Sequence, residues 1–220
     1  MKLKNAITSI LLVFSLYVFG QEYGRTTVSN VYEVENVNAD DLFKRINFAI
    51  ANIYNSANDI IQLNDSESKI LVIKALGDVF VPNQNKYIYP RKKYMQDDIA
   101  WKVNYTLNIT ARDGRYRMEI NYGKINSEIG TYVNKIFSPY EALVKYTDED
   151  IKKVISANQI KYESFDYSFI SKKKKQAALD GIPVDLGEVS DNLINYALIV
   201  FESVHQNILE IETKDDDDDW

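Results

Sequence analysis

The sequence predicts an α+β domain built on an antiparallel sheet with a helix on one face, and three observations carry that prediction. Two segments whose apolar and polar residues alternate flank the dipeptide Asp113-Gly114. Ahead of them, Leu42, Ile46, Ala49, Ile50 and Ile53 repeat at helical spacing. Behind them, a second apolar stripe starting at Val189 runs almost to the end of the chain.

The first twenty residues read as a secretory signal peptide. Lys2 and Lys4 precede the mostly apolar run Ala6 to Phe19, and Gly20 is a small residue at the cleavage position, so the mature chain is expected to begin at Gln21. Fourteen residues of helix cover about 21 Å, too short for a bilayer core of about 30 Å. No stable membrane insertion is expected after cleavage.

Val31 to Val37 reads as a first strand. Asn38 follows as an N-cap, with Asp41 at the third helical position, where a carboxylate suits both the capping geometry and the helix dipole. Asp59 to Asn64 and Lys69 to Val81 read as two strands around the turn Asp65-Ser66-Glu67-Ser68. Ile70 to Ile73 is apolar on both faces, which predicts cover on each side of the sheet. Pro82 to Asp98 is polar, contains Pro82 and Pro90, and reads as a long loop.

The hairpin is the clearest local signal. A two-residue type I′ loop at Asp113-Gly114 pairs Ala111 with Tyr116, Ile109 with Met118, Leu107 with Ile120 and Tyr105 with Tyr122, all apolar or aromatic. The other face pairs Thr110 with Arg117, Asn108 with Glu119 and Thr106 with Asn121, all polar. Turn chemistry and pleat alternation thus specify one register.

Thr147 and Asp150 start a short helix through Ser156, Tyr162 to Ile170 reads as extended, and Lys172 to Asp180 as helical until Gly181-Ile182-Pro183 breaks it. A last helix begins near Ser190, with a stripe of Val189, Leu193, Ala197, Val200, Val204, Ile208 and Ile211, widened by Ile194, Leu198 and Phe201. The layout is therefore 1–20 signal peptide, 28–126 α+β domain, 127–213 carboxy-terminal segment ending in a long helix, and 214–220 acidic tail.

Strand, helix and four antiparallel strands in that order resemble an exported bacterial family. The stretches that carry the likeness are Asp41-Leu42-Phe43-Lys44-Arg45, Asp65-Ser66-Glu67-Ser68-Lys69-Ile70 and Arg112-Asp113-Gly114-Arg115-Tyr116-Arg117. The family is the domain of unknown function numbered 4468, described as having a TBP-like fold, and the resemblance spans residues of about 31–125. It implies a curved antiparallel sheet with a helix across one face, and no activity or catalytic residue that transfers to this chain.

Composition excludes more than it identifies. The chain has no Cys, which removes disulfides, thiol nucleophiles, Cys-based metal sites and lipidation at Cys. His205 is the single imidazole, so no multi-His metal centre can be built. Net charge is −6 over the full chain and −8 after loss of Lys2 and Lys4, five of those charges lying in Asp215 to Asp219. An acidic body, with basic runs Arg91-Lys92-Lys93 and Lys172 to Lys175 short and far apart in sequence, predicts no nucleic-acid partner. No cofactor is implied.

Among candidate groups, His205 reads as a helix-edge histidine touching a neighbour rather than a general base, and Asp148-Glu149-Asp150 as carboxylates placed for the helix dipole. The aromatic and basic loop residues Tyr87, Tyr89, Arg91, Lys92, Lys93 and Tyr94 form the candidate binding surface, since aromatics beside cations recur where sugars and proteins bind. The expected role is a non-catalytic binding or assembly protein, periplasmic or secreted, with an unidentified envelope protein or glycan as partner. Two alternatives stand beside it: a carrier of an apolar ligand between sheet and helix, and an envelope hydrolase using Asp97, Asp98 or Glu119.

Overall fold

A computed structural model describes residues 22–54, 57–83, 85–91, 93, 96–126, 143–164 and 167–215. The predicted signal peptide lies outside them. Six strands form one antiparallel sheet in the order β1-β2-β6-β5-β4-β3: β1 Glu22–Tyr23, β2 Thr27–Glu33, β3 Ile61–Asp65, β4 Ile70–Pro82, β5 Asp98–Arg112 and β6 Arg115–Asn126. The helices are α1 Ala39–Ile53, the single turns α2 Ala57–Ile60 and α3 Asn85–Ile88, then α4 Asp148–Glu163 and α5 Lys172–Asp215.

The hairpin register is the predicted one from Arg112 opposite Arg115 to Tyr105 opposite Tyr122. It shifts by one residue between Val103 and Tyr105, so that Val103 faces Ile125. The turn itself differs from prediction. Only Gly114 has positive φ, at 68°, so the loop is not type I′. Tertiary bonds set its shape instead: Asp113 Oδ1 accepts from the backbone N–H of Ala39 at 2.8 Å, Gly114 donates to the carbonyl of Val37, and Val34 donates to that of Gly114. The tip of the hairpin thereby satisfies an amide at the start of α1, which Asn38 also caps through Asp41.

Those bonds also explain why the first strand is Thr27–Glu33 rather than Val31 to Val37. Its partner β6 starts at Arg115, opposite Glu33, so no strand remains for residues beyond it. Asn36 takes φ 61° and reverses the chain, while Val34 and Val37 are buried in the connection. The predicted strand from Asp59 likewise begins only at Ile61, after the turn α2. Within the predicted loop Pro82 to Asp98, Asn83 closes the neck by bonding the carbonyls of Asp97 and Gln96, and residues 85–88 form α3.

Helices α1 and α5 lie on one face of the sheet, against each other. Leu71, Ile73, Val79 and Val81 of β4 point there with Leu107, Ile109, Met118 and Ile120, all buried in one core with Leu42, Ile46 and Ile50 of α1; α1 packs on β5, and α5 on β4 and β2. The expectation of cover on both sides at Ile70 to Ile73 is therefore corrected. On the opposite face Ile70 and Val72 are half-buried among sheet neighbours, and Leu76 and Phe80 are exposed.

The carboxy-terminal half departs furthest from prediction. The described residues between Tyr162 and Ile170 are not extended: α4 continues to Glu163, and Tyr162 is buried in its last turn. Gly181-Ile182-Pro183 does not break the chain into two helices, because α5 runs through it for 44 residues. The apolar stripe explains the continuity. Ala178, Ile182, Leu186, Val189, Leu193, Ala197, Phe201, Val204 and Ile208 are all buried, whereas Pro183 is exposed, so its missing N–H and its ring cost the core no contact. Val200, predicted in the stripe, is only half-buried, and Phe201 takes the inward position.

Tyr122 and Tyr196 help to hold α5 on the sheet. Tyr122 donates to the carbonyl of Leu193 at 2.6 Å. The ring of Tyr196 meets Tyr105 edge-on at 5.8 Å and lies where a side chain at Gly77 would otherwise project.

Candidate functional site

Of the predicted binding surface, Tyr87 is taken by the fold. Its ring lies against the backbone of Gly181, where any Cβ would overlap it, and its hydroxyl donates to Oδ1 of the buried Asp185 at 3.0 Å. Burial, then the Asp185 carboxylate, push the phenol up to about 12. Gly181 is thus a docking position for α3 and not a helix terminator.

The adjoining residues remain accessible. Tyr89, Pro90 and Arg91 line a cavity of about 500 Å³ together with Lys174 from the first turn of α5. The Lys174 ammonium stands 5.8 Å from the centroid of the Tyr89 ring, within cation–π range. Arg91 and Lys93 are exposed. Lys92 and Tyr94 lie outside the described residues. The two basic runs that are far apart in sequence therefore supply neighbouring charges, which revises the premise that they act separately. Four lysines, Lys172 to Lys175, occupy the amino-terminal turn of α5, where the helix dipole is also positive. Lysine there is unfavourable for the helix and favourable for an anion.

The other candidates are distributed through the structure. Asp150 completes a capping box with Thr147 and pairs with Arg25 at 2.6 Å, and its carboxyl is held below the usual range by the Thr147 bonds first. Glu149 pairs with Lys153 at 2.7 Å. Glu119 is bonded by Arg117 and Asn121, and Asp97 pairs with Lys86. Glu119 faces Asn108 of β5, ten residues along that strand from Asp98, a separation of roughly 33 Å. Glu119 is therefore not brought together with Asp97 and Asp98.

His205 contacts two tyrosines. Nδ1 lies 2.7 Å from the hydroxyl of Tyr116, and the ring packs on Tyr32 at 4.4 Å. Burial lowers the His205 pKa, with Glu202 opposing weakly. Among the described residues no group of three His, Asp or Glu side chains is placed to hold a metal ion, and no helix is long and apolar enough to cross a membrane.

Residues 29–126 match the family model described as a domain of unknown function, DUF4468, with TBP-like fold. Over these residues the chain is similar to DUF4468. Its boundaries take in β2 to β6 and α1, while α4 and α5 lie beyond it. Two solved structures are similar to the chain. A TBP-like protein from Parabacteroides distasonis ATCC 8503 matches at 15% identity and TM-score 0.42, covering 86% of this chain and 95% of that one. A DUF4468 family protein from Bacteroides ovatus ATCC 8483 matches at 12% identity and TM-score 0.49, covering 87% of this chain and 91% of that one. No curated protein matches.

Proposed function

We propose that this is an exported, non-catalytic binding protein of the bacterial periplasm or envelope, and that its ligand is an acidic glycan held at Tyr89, Arg91 and Lys174. The observation that carries this reading is the cavity those residues line with Pro90, assembled from the α3 loop and the start of α5. An aromatic ring offers a stacking surface for the apolar face of a sugar, and guanidinium and ammonium groups beside it suit a sugar carboxylate. The apolar segment ahead of Gln21 supports export. An acidic body disfavours nucleic acid as the alternative anion.

Calorimetric titration of the mature protein with a polyuronate oligosaccharide tests the reading, with a neutral oligosaccharide of equal length alongside. Binding is expected for the acidic sugar alone, weakening with salt and lost in Arg91→Glu and Lys174→Glu. Equal binding of both sugars, or binding that survives both charge reversals, refutes it. Intact-mass measurement of exported protein is expected to give a chain beginning at Gln21.

A further inference from the structure

The face of the sheet opposite α1 and α5 holds a second cluster of positive charge, at the other end of β5. Arg112 and Arg115 are direct cross-strand partners at the hairpin tip, and Arg117 follows one step along the same face, opposite Thr110 on one side and Val31 on the other. These residues line a cavity of about 300 Å³. From Asp98, at the neck of the loop that carries Tyr89, to Arg112 the strand spans fourteen steps, roughly 46 Å, so the two basic clusters belong to opposite ends of β5.

Three arginines at adjacent pair positions are costly for a sheet. Like charges directly opposite each other destabilise an antiparallel pair, and here Arg112 faces Arg115. Compensation is partial. Arg117 bonds Glu119 at 3.2 Å and Ser29 at 3.3 Å. Glu33 faces Arg115, but no ion pair joins them among the described residues. Arg112 and Arg115 thus place two exposed guanidinium groups at one rung of the sheet, on a chain whose total charge is −6. Farther along this face Thr110, Asn108 and Thr106 on β5 and Asn121 on β6, which bonds Thr27, are uncharged hydrogen-bonding groups, with Glu119 opposite Asn108 and Lys74 opposite Thr106 as the charged neighbours.

We propose that this cluster binds the phosphoryl group of a small sugar phosphate. Planar guanidinium forks from Arg112 and Arg115, with Arg117 beside them, present paired N–H donors to a tetrahedral oxyanion from three directions, a task for which arginine geometry is suited. A cavity of this volume takes one such group, and the Thr and Asn row adjoining it offers donors and acceptors to sugar hydroxyls. A bound dianion would also relieve the repulsion between Arg112 and Arg115, so ligand and hairpin tip should stabilise each other.

The test is amide chemical-shift titration of the mature protein with glucose 6-phosphate, glucose and inorganic phosphate, repeated in Arg112→Gln and Arg115→Gln. Shifts are expected at Val31 and at residues 110–117 with glucose 6-phosphate, none with glucose, and weaker ones with inorganic phosphate. That order identifies the phosphate ester as the source of the group, whereas tighter binding of inorganic phosphate would assign the cluster to the free ion and overturn the sugar assignment. Each Arg→Gln change is expected to weaken binding by about tenfold or more while leaving the urea midpoint unchanged or raised, since it removes a like-charge pair. Binding that persists in both variants, an absence of shifts at these residues, or binding of an oligonucleotide without any of the small phosphates would overturn the proposal. Arg91→Gln should leave these shifts unaltered, which separates this cluster from the Tyr89 cavity.

Discussion

The phenol of Tyr87 donates to Asp185, 98 residues further along the chain, while its ring occupies the space that a side chain at Gly181 would need. A glycine in a helix interior is ordinarily a weak point, about 1 kcal/mol worse than alanine. Here it is the seat of α3. Gly181→Ala should therefore destabilise despite its better helix propensity, because the new methyl displaces the Tyr87 ring and strains its bond to Asp185. Urea midpoints for Gly181→Ala in the native background and in Tyr87→Ala measure this. The substitution should lower the midpoint in the first and raise it in the second.

Gly114 poses the opposite case, a glycine needed for its backbone and not for space. A Cβ there would find nothing closer than the Val34 carbonyl oxygen at 3.8 Å, yet φ is +68°. Gly114→Val should cost more than about 1 kcal/mol, and Gly114→Asn clearly less, since asparagine tolerates the left-handed region. Equal losses in denaturant unfolding would assign the cost to crowding.

Pro183 sits inside α5 with its side chain exposed. Pro183→Ala restores a backbone donor to the helix without touching the buried stripe. A gain of about 1 to 3 kcal/mol is expected, read as a raised urea midpoint. A loss would mean that the helix needs the bend or the stiffness that proline brings.

The single imidazole makes stability depend on pH. Burial holds the folded-state pKa of His205 below its ordinary value of 6.5, so the unfolded chain binds a proton more readily than the folded one. Its contribution is fully present above about 6.5 and is lost as pH falls through the lower folded-state value. The groups facing it are the Tyr116 hydroxyl, the Tyr32 ring and Glu202, and only Glu202 pulls the other way. Thermal midpoints should fall as pH drops below 6.5, and His205→Gln should flatten that segment of the profile.

How much of this was readable in the residues depends on whether the deciding interaction was local. The Asp113-Gly114 turn and the alternation around it identify seven facing pairs, all present in the sheet. Asn38 and the Leu42 to Ile53 stripe likewise identify α1. Gly181 and Pro183 misled because their local preference is to stop a helix, and the stripe from Ala178 to Ile208 outweighs it. The type of turn was misjudged because Asp113 answers to Ala39, far away in sequence. Nothing in the spacing of Arg91 and Lys174 announces a shared cavity, which exists only once α3 has docked on Gly181. The arginines of the hairpin tip were visible as a string, but their like-charge pairing appears only with the register.

The place of β2 in the sheet bears on how the chain acquires its structure. Apart from the two-residue β1, β2 has one partner, β6, and the pairs from Thr27 with Asn121 to Glu33 with Arg115 join the two ends of the domain. The hairpin β5–β6 can close early, since its strands are neighbours in the chain, whereas β2 must wait for a loop of that length to be brought together. Such non-local pairing slows folding. Assembly is then expected to proceed from the middle of the chain outward, with the amino-terminal strand among the late arrivals.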